Sequence, residues 1–448
     1  MKIKPEEGNK TFCMAPWSHT YVSPQGERRL CCASREKSSW IKQYIDVEND
    51  DKNTEFVSTK LDDHWNSEYM KDIRKRLMAG EEIEQCQVCN YKLLNINTYR
   101  GYFNHQLFPH KINEAFEKTR EDGYTEMKPI SYDYRISNLC NFKCRMCGDQ
   151  LSSSWESERR QMNNWTPEGD PWMTPENRTK LQTFTKEVLE KELWQAVYEE
   201  RIEEIYWVGG EPLMFQIHWD IMEHLVNTGQ SKNVVVRYNT NLSRVEWRGV
   251  KLYELLKHFK HVNISASIDG TGKIVEYVRD GIKWDRWLDN FKQGLFLKDL
   301  YGDAGIVLDV TITSPGLFAM KDLFDLALEL DVISYIKKTF EFDPAIVMSP
   351  SMIPRRILEP LVNDIIDYMK PKVTEKTQIY IDALEDVRDI KTFDEKYPNW
   401  LEGLERGKTN LKRVDKFRKC QYDIDEIFKE NNNQLYDWWQ TIPYETNI

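Results

Sequence analysis

The chain has 448 residues, 40% hydrophobic, 12% aromatic and 30% charged, enough apolar material for more than one core and too much for a disordered chain. No run of 18 apolar residues occurs and the start, MKIKPEEGNK, has no apolar h-region, so no membrane span or signal peptide is expected, and the location implied is cytoplasmic. Lys+Arg 62 against Asp+Glu 73 leaves −11 with no long basic block, which argues against a nucleic-acid partner.

Residues 1–128 read as a loop-rich cysteine module followed by helices. PQGER (24–28) between HTYV and RLCC reads as a hairpin turn. SEYMKDIRKRLMAG (67–80) sets Met70, Ile73, Leu77 and Met78 on one helical face and stops at Gly80. From Pro129 the rhythm becomes strand–helix alternation. Strands are expected over 130–137, 202–208, 233–239, 261–268, 305–313 and 333–342, and helices over 177–201, 213–227, 249–259, 284–300 and 318–331. Six strands alternating with helices predict an α/β core of residues 129–345, a parallel sheet either open or curled into a partial barrel. The segment 163–177, with three prolines and the tryptophans Trp165 and Trp172, reads as a loop where those rings could meet a substrate. Glu341 and Asp343 close the sixth strand as possible substrate contacts or solvated caps. Residues 346–448 read as helical, with 354–371 and 411–420 the clearest stretches.

Eight of the nine cysteines lie in the first third of the chain. In a reducing compartment such clusters point to metal or catalysis rather than disulfides. Cys140, Cys144 and Cys147 stand at C-x3-C-x2-C just past the first core strand. Three thiolates on one loop can hold three irons of a cubane and leave the fourth open. A structural zinc would need a fourth ligand, and no further Cys or His lies within ten residues. A zinc knuckle with a remote ligand remains the alternative. Polar groups follow successive strands: Gly209-Gly210-Glu211-Pro212, then Asn239-Thr240-Asn241, then Ser265 to Asp269, and Arg279 beyond. Strand C-termini are where α/β folds assemble their sites.

With these motifs in order, residues 130–345 resemble the radical S-adenosylmethionine (radical SAM) superfamily. The resemblance implies a partial (β/α)6 TIM-like barrel with a 4Fe–4S cluster on Cys140, Cys144 and Cys147. S-adenosylmethionine would bind the open iron, with Gly209, Gly210 and Glu211 receiving its amino group. Asn239, Ser265, Ser267 and Asp269 would face the ribose and Arg279 the carboxylate. Met146 stands where the family more often has an aromatic residue, and would cover the adenine.

The amino-terminal cysteines follow C-x12-G-x4-C from Cys13 through Gly26 to Cys31, then Cys86-x2-Cys89. Four thiolates can saturate one cluster or one zinc. The pattern resembles the twitch and SPASM extensions of radical SAM enzymes, which implies one auxiliary 4Fe–4S cluster serving as an electron relay. The module precedes the core here, whereas the family usually places it after. Asn95 stands where a full SPASM pattern would continue with cysteine. Cys32 competes with Cys31 as the ligand, and Cys31 keeps the glycine spacing.

The expected function is therefore reductive cleavage of S-adenosylmethionine and hydrogen abstraction from a peptide or small-molecule substrate. A reducing partner such as flavodoxin or ferredoxin would supply the electron. An RNA-modifying radical enzyme and a zinc-binding scaffold are the competing readings. Cys420, beside Lys419, is either a hydrogen donor or a small, partly buried residue.

Overall fold

In a computed structural model the chain is described over residues 2–34, 44–46, 54–90, 99–162, 172, 174–338 and 345–446. Asn95, Trp165, Glu341 and Asp343 lie outside the described residues. The chain divides into two compact units. One comprises residues 1–138, 165–237 and 258–260, and the other 139–164, 238–257 and 261–448.

In the first unit, His19–Val22 forms the hairpin expected around residues 24–28, antiparallel to Arg28–Arg29 with Tyr21 opposite Arg29. The same strand runs parallel to Ser131–Tyr134, His19 opposite Ser131, and that strand is parallel to Glu204–Trp207. The cysteine module thus contributes a sheet strand, which its sequence did not announce beyond a hairpin arm. Beneath it lies a core in which Phe12, Met14 and Trp17 meet Leu77 and Met78 of the helix Glu68–Met78, with Phe103 and Phe116. Burying each such side chain favours the fold by about 1.5–3 kcal/mol. Trp17 is anchored by its indole N–H donating to Thr119 Oγ1 at 2.7 Å.

Residues 177–201 form three consecutive helical segments rather than one helix: Pro175–Phe184, a π turn at Thr185–Leu189 and Glu190–Tyr198. The wider turn begins at Thr185, whose hydroxyl donates to the Ile136 carbonyl at 3.4 Å. Trp172 is buried, with Arg178 over its ring at 5.1 Å.

In the second unit, His261–Ser267 pairs in parallel with Ile306–Ile312, Ile264 opposite Ile306, and the latter with Ser334–Lys338. The β-branched run of Ile306–Ile312, buried along nearly its whole length, suits a strand covered on both faces. Val235–Thr240 is the strand along which the chain passes from one unit to the other. The helix expected over 249–259 shortens to Leu252–Leu256, because Arg248 and Gly249 both take positive φ and turn a small hairpin ahead of it. The carboxy-terminal region is helical as expected, with Arg355–Met369, Gln378–Asp389, Trp400–Arg418, Ile424–Asn431 and Asn433–Thr441 its main helices. Among the described residues no helix is long and apolar enough to cross a membrane. The fold class is α/β, as its alternation of apolar runs predicts.

Candidate functional site

Cys140, Cys144 and Cys147 sit on a loop of the second unit whose backbone is fixed by serines. Ser152 caps the helix Ser153–Gln161 by accepting from Trp155 N, and its hydroxyl donates to the Phe142 carbonyl at 2.6 Å. Ser154 Oγ donates to the Cys140 carbonyl at 2.7 Å, and the Trp155 indole to the Cys144 carbonyl at 2.7 Å. Lys143–Cys144 pairs antiparallel with Arg279–Asp280, Cys144 opposite Arg279. Burial pushes the Cys144 thiol up, Arg279 opposes the shift, and Cys147 and Cys140 add to it, so the three thiols share one electrostatic neighbourhood. Met146 is half-buried between them in sequence.

Arg279 lies between a carboxylate and a thiol. Its Nε is 2.6 Å from Asp269 Oδ2, and its Nη1 donates to Cys144 Sγ at 3.9 Å. Asp269 is 1% exposed and its other oxygen accepts from Thr311 N at 2.7 Å. Asp269 and Arg279, assigned separately from sequence, are one pair. Asn239 Nδ2 donates to Asp309 at 2.9 Å, and Lys337 Nζ donates to both oxygens of Asp309 at 2.9 and 3.0 Å. Ser267 stands opposite Asp309 across the sheet, and Ser265 is buried on the same strand. Asp309 and Lys337 were missed because each stands singly within an apolar or basic run. Asn241 is the neighbour that reaches the cluster loop: its amide donates to Asn141 Oδ1 at 3.0 Å and to Cys140 Sγ at 3.9 Å.

Gly209, Gly210 and Glu211 lie in the first unit. Gly209 has φ +90°, and a Cβ there would come within 2.6 Å of the Arg135 Cβ, so glycine is required by the neighbouring side chain as well as by the backbone. Glu211 is buried and accepts from Leu213 N at 3.1 Å, which fixes its carboxylate at the start of a short helical turn.

The amino-terminal thiols come together. Cys13, Cys31, Cys86 and Cys89 all line one small cavity, with Tyr99 and Phe103 closing it. Cys32 is outside that lining. It is hydrogen-bonded with Tyr99 and senses Asp133, Arg135 and Arg237. Burial pushes the Cys13 and Cys31 thiols up, and neighbouring cysteines push them further. Among the described residues no three His, Cys, Asp or Glu side chains converge as on a single metal ion. Four thiols around one cavity can hold one iron–sulfur cluster or one mononuclear zinc.

Beside this cavity the sheet of the first unit carries a buried polar row. His19 Nδ1 is 2.7 Å from Ser131 Oγ, which donates to Glu204, and Glu204 is 3.4 Å from Arg237 Nε. Arg237 stacks over Tyr206 at 4.0 Å. Burial raises Glu204, and Arg237 pulls it back.

Comparison with known proteins gives two family-model matches. Residues 134–294 match the Radical SAM superfamily, and residues 13–90 match SPASM, an iron–sulfur cluster-binding domain. The cluster-binding domain therefore precedes the core, as its cysteines indicated. No curated protein matches the chain. Among solved structures, Streptococcus suis SuiB bound to S-adenosylmethionine is 15% identical with a TM-score of 0.36, covering 65% of this chain and 58% of that one. SuiB bound to the precursor peptide SuiA is 15% identical with a TM-score of 0.35, covering 68% and 60%. The chain thus spans less than two thirds of the SuiB chains it matches.

Proposed function

For a chain that is a radical SAM protein with an iron–sulfur cluster-binding domain ahead of its core, we propose reductive cleavage of S-adenosylmethionine and hydrogen-atom abstraction from a peptide or small-molecule substrate. The observation that carries this reading is the loop of Cys140, Cys144 and Cys147 within the matched domain, where the Cys140 and Cys147 thiols both act on that of Cys144. When bound, a 4Fe–4S cluster with one open iron and S-adenosylmethionine supply the one-electron chemistry that yields a 5′-deoxyadenosyl radical.

The chain's own residues hold and orient. Cys140, Cys144 and Cys147 ligate three irons, with Asn241 donating to Cys140 and Arg279 to Cys144. Gly209, Gly210 and Glu211 receive the cofactor's amino group, and the fixed Glu211 carboxylate gives it direction. Asp269 aims Arg279 at the cofactor's carboxylate, while Asn239, Ser265 and Ser267 meet the ribose and Met146 the adenine. Cys13, Cys31, Cys86 and Cys89 would hold one auxiliary cluster, which would supply electron relay to or from a substrate radical. A small redox protein, flavodoxin or ferredoxin, delivers the first electron.

The test is anaerobic reconstitution with iron and sulfide, followed by dithionite and S-adenosylmethionine. About eight irons per chain and formation of 5′-deoxyadenosine are expected. Replacing Cys140 by Ala should abolish the product while leaving about four irons. Zinc at both sites with no product would refute the proposal in favour of a scaffold.

A further inference from the structure

The cluster loop is gripped from the carboxy-terminal helix Trp400–Arg418 and the residues just beyond it, a contact that neither the cluster nor the cofactor requires for ligation. Arg145 follows Cys144. Its guanidinium meets Asp415 at 2.6 Å, donates to the Tyr277 carbonyl at 2.9 Å and to Cys420 Sγ at 3.3 Å, and lies over the Tyr277 ring at 3.8 Å. Its backbone N–H donates to the Val278 carbonyl at 2.8 Å. Lys143 precedes Cys144. Arg418 donates to the Lys143 carbonyl at 3.1 Å and to Glu158 at 2.7 Å, and covers Trp155 at 4.5 Å. Lys143 reaches the same Glu158 at 2.6 Å.

The side chains of Arg145, Asp415, Arg418 and Glu158 are each 6% exposed or less. Burying four charges is expensive unless each is paired and hydrogen-bonded, and even then the net gain in stability is small. Here all four are paired, and they converge on the two residues flanking one thiol. Fixing the Lys143–Arg145 backbone before a cluster arrives is what such an arrangement achieves, as outer partners do for metal ligands generally.

We infer that Arg418 and Asp415 are positioning residues for Cys144, making the helix Trp400–Arg418 part of the cluster site. The inference rests on the proposed cluster at Cys140, Cys144 and Cys147. In the full-length holoprotein the auxiliary cluster serves as an internal reference. Arg418→Met should keep the wild-type far-UV spectrum and the auxiliary iron, whereas the chelator concentration that strips half of the loop iron falls about tenfold. The electron paramagnetic resonance signal of the reduced loop cluster should also lose its wild-type response to S-adenosylmethionine. Arg418→Lys keeps the charge but not the forked donors, and should fall between. Should Arg418→Met fail to fold, the nearly isosteric Asp415→Asn decides by the same two readouts. Wild-type chelator resistance and a wild-type cofactor response in the folded variants would overturn the inference. A wild-type chain that loads no iron on the loop would sink the proposed function and this inference together.

Discussion

Asp269 is the residue whose removal has the most calculable cost. Its carboxylate, 1% exposed, joins the Arg279 guanidinium at 2.6 Å and the Thr311 N–H at 2.7 Å. Asp269→Ala leaves a largely buried guanidinium without its anion, a loss of about 3–5 kcal/mol in comparable cases. It also orphans a backbone N–H, worth roughly 1–3 kcal/mol. The two losses overlap in one side chain, so about 4 kcal/mol is expected rather than the sum. Asp269→Asn retains an oxygen for Thr311 and loses only the charge, so its cost should be about half. Urea unfolding of the apoprotein measures both, and amide exchange at Thr311 separates them: fast in the alanine variant, protected in the asparagine one. Equal costs for the two variants, or a cost below about 1 kcal/mol for alanine, would refute the reasoning.

Three further outcomes are expected. In a background with Cys140, Cys144 and Cys147 all replaced by Ala, about four irons should remain; adding Cys31→Ala should remove them and adding Cys32→Ala should not, because only Cys31 lines the cavity. The opposite pattern would exchange their roles. Gly209→Ala forces a Cβ against Arg135 at 2.6 Å from a backbone at φ +90°, and should lower stability by about 1–3 kcal/mol in a denaturant titration; a wild-type midpoint would contradict it. Burial holds His64 and His218 down at about 3, against 6.5 when exposed. Between those values the unfolded chain binds more protons than the native one, so the stabilisation is complete above pH 6.5 and is lost as pH falls towards 3. The urea midpoint should drop from pH 7 to pH 5, and less so in His218→Gln; equal slopes would count against it.

The strands were legible because runs such as IVLDVTI leave no other choice, and the Ser131–Tyr134, Glu204–Trp207 and His261–Ser267 strands lie inside their expected ranges. The cluster loop and the amino-terminal cysteines were legible from spacing, since chelation by short segments fixes sequence separation. Pairings between distant charges were not. Asp415 and Arg418 lie in LKRVDKFRKC, where nothing says which side of the helix turns inward, and their partners Arg145 and Glu158 stand far away in the sequence. The glycine spacing favoured Cys31 over Cys32, and the direction of successive side chains, which sequence does not give after the two-residue strand ending at Arg29, sets Cys31 in the cavity lining. Asp269 and Arg279 were each found singly, and their union needed the fold.

The strand His19–Val22 has a consequence for biosynthesis. It leaves the ribosome 112 residues ahead of its parallel neighbour Ser131–Tyr134. At translation rates of 5–20 residues per second, the first strand waits on the order of ten seconds for that partner. During that interval only the hairpin with Arg28–Arg29 protects it, and its other edge is open to pairing with a neighbouring nascent chain. Slower synthesis lengthens the exposure, and a fragment ending before residue 131 makes it permanent.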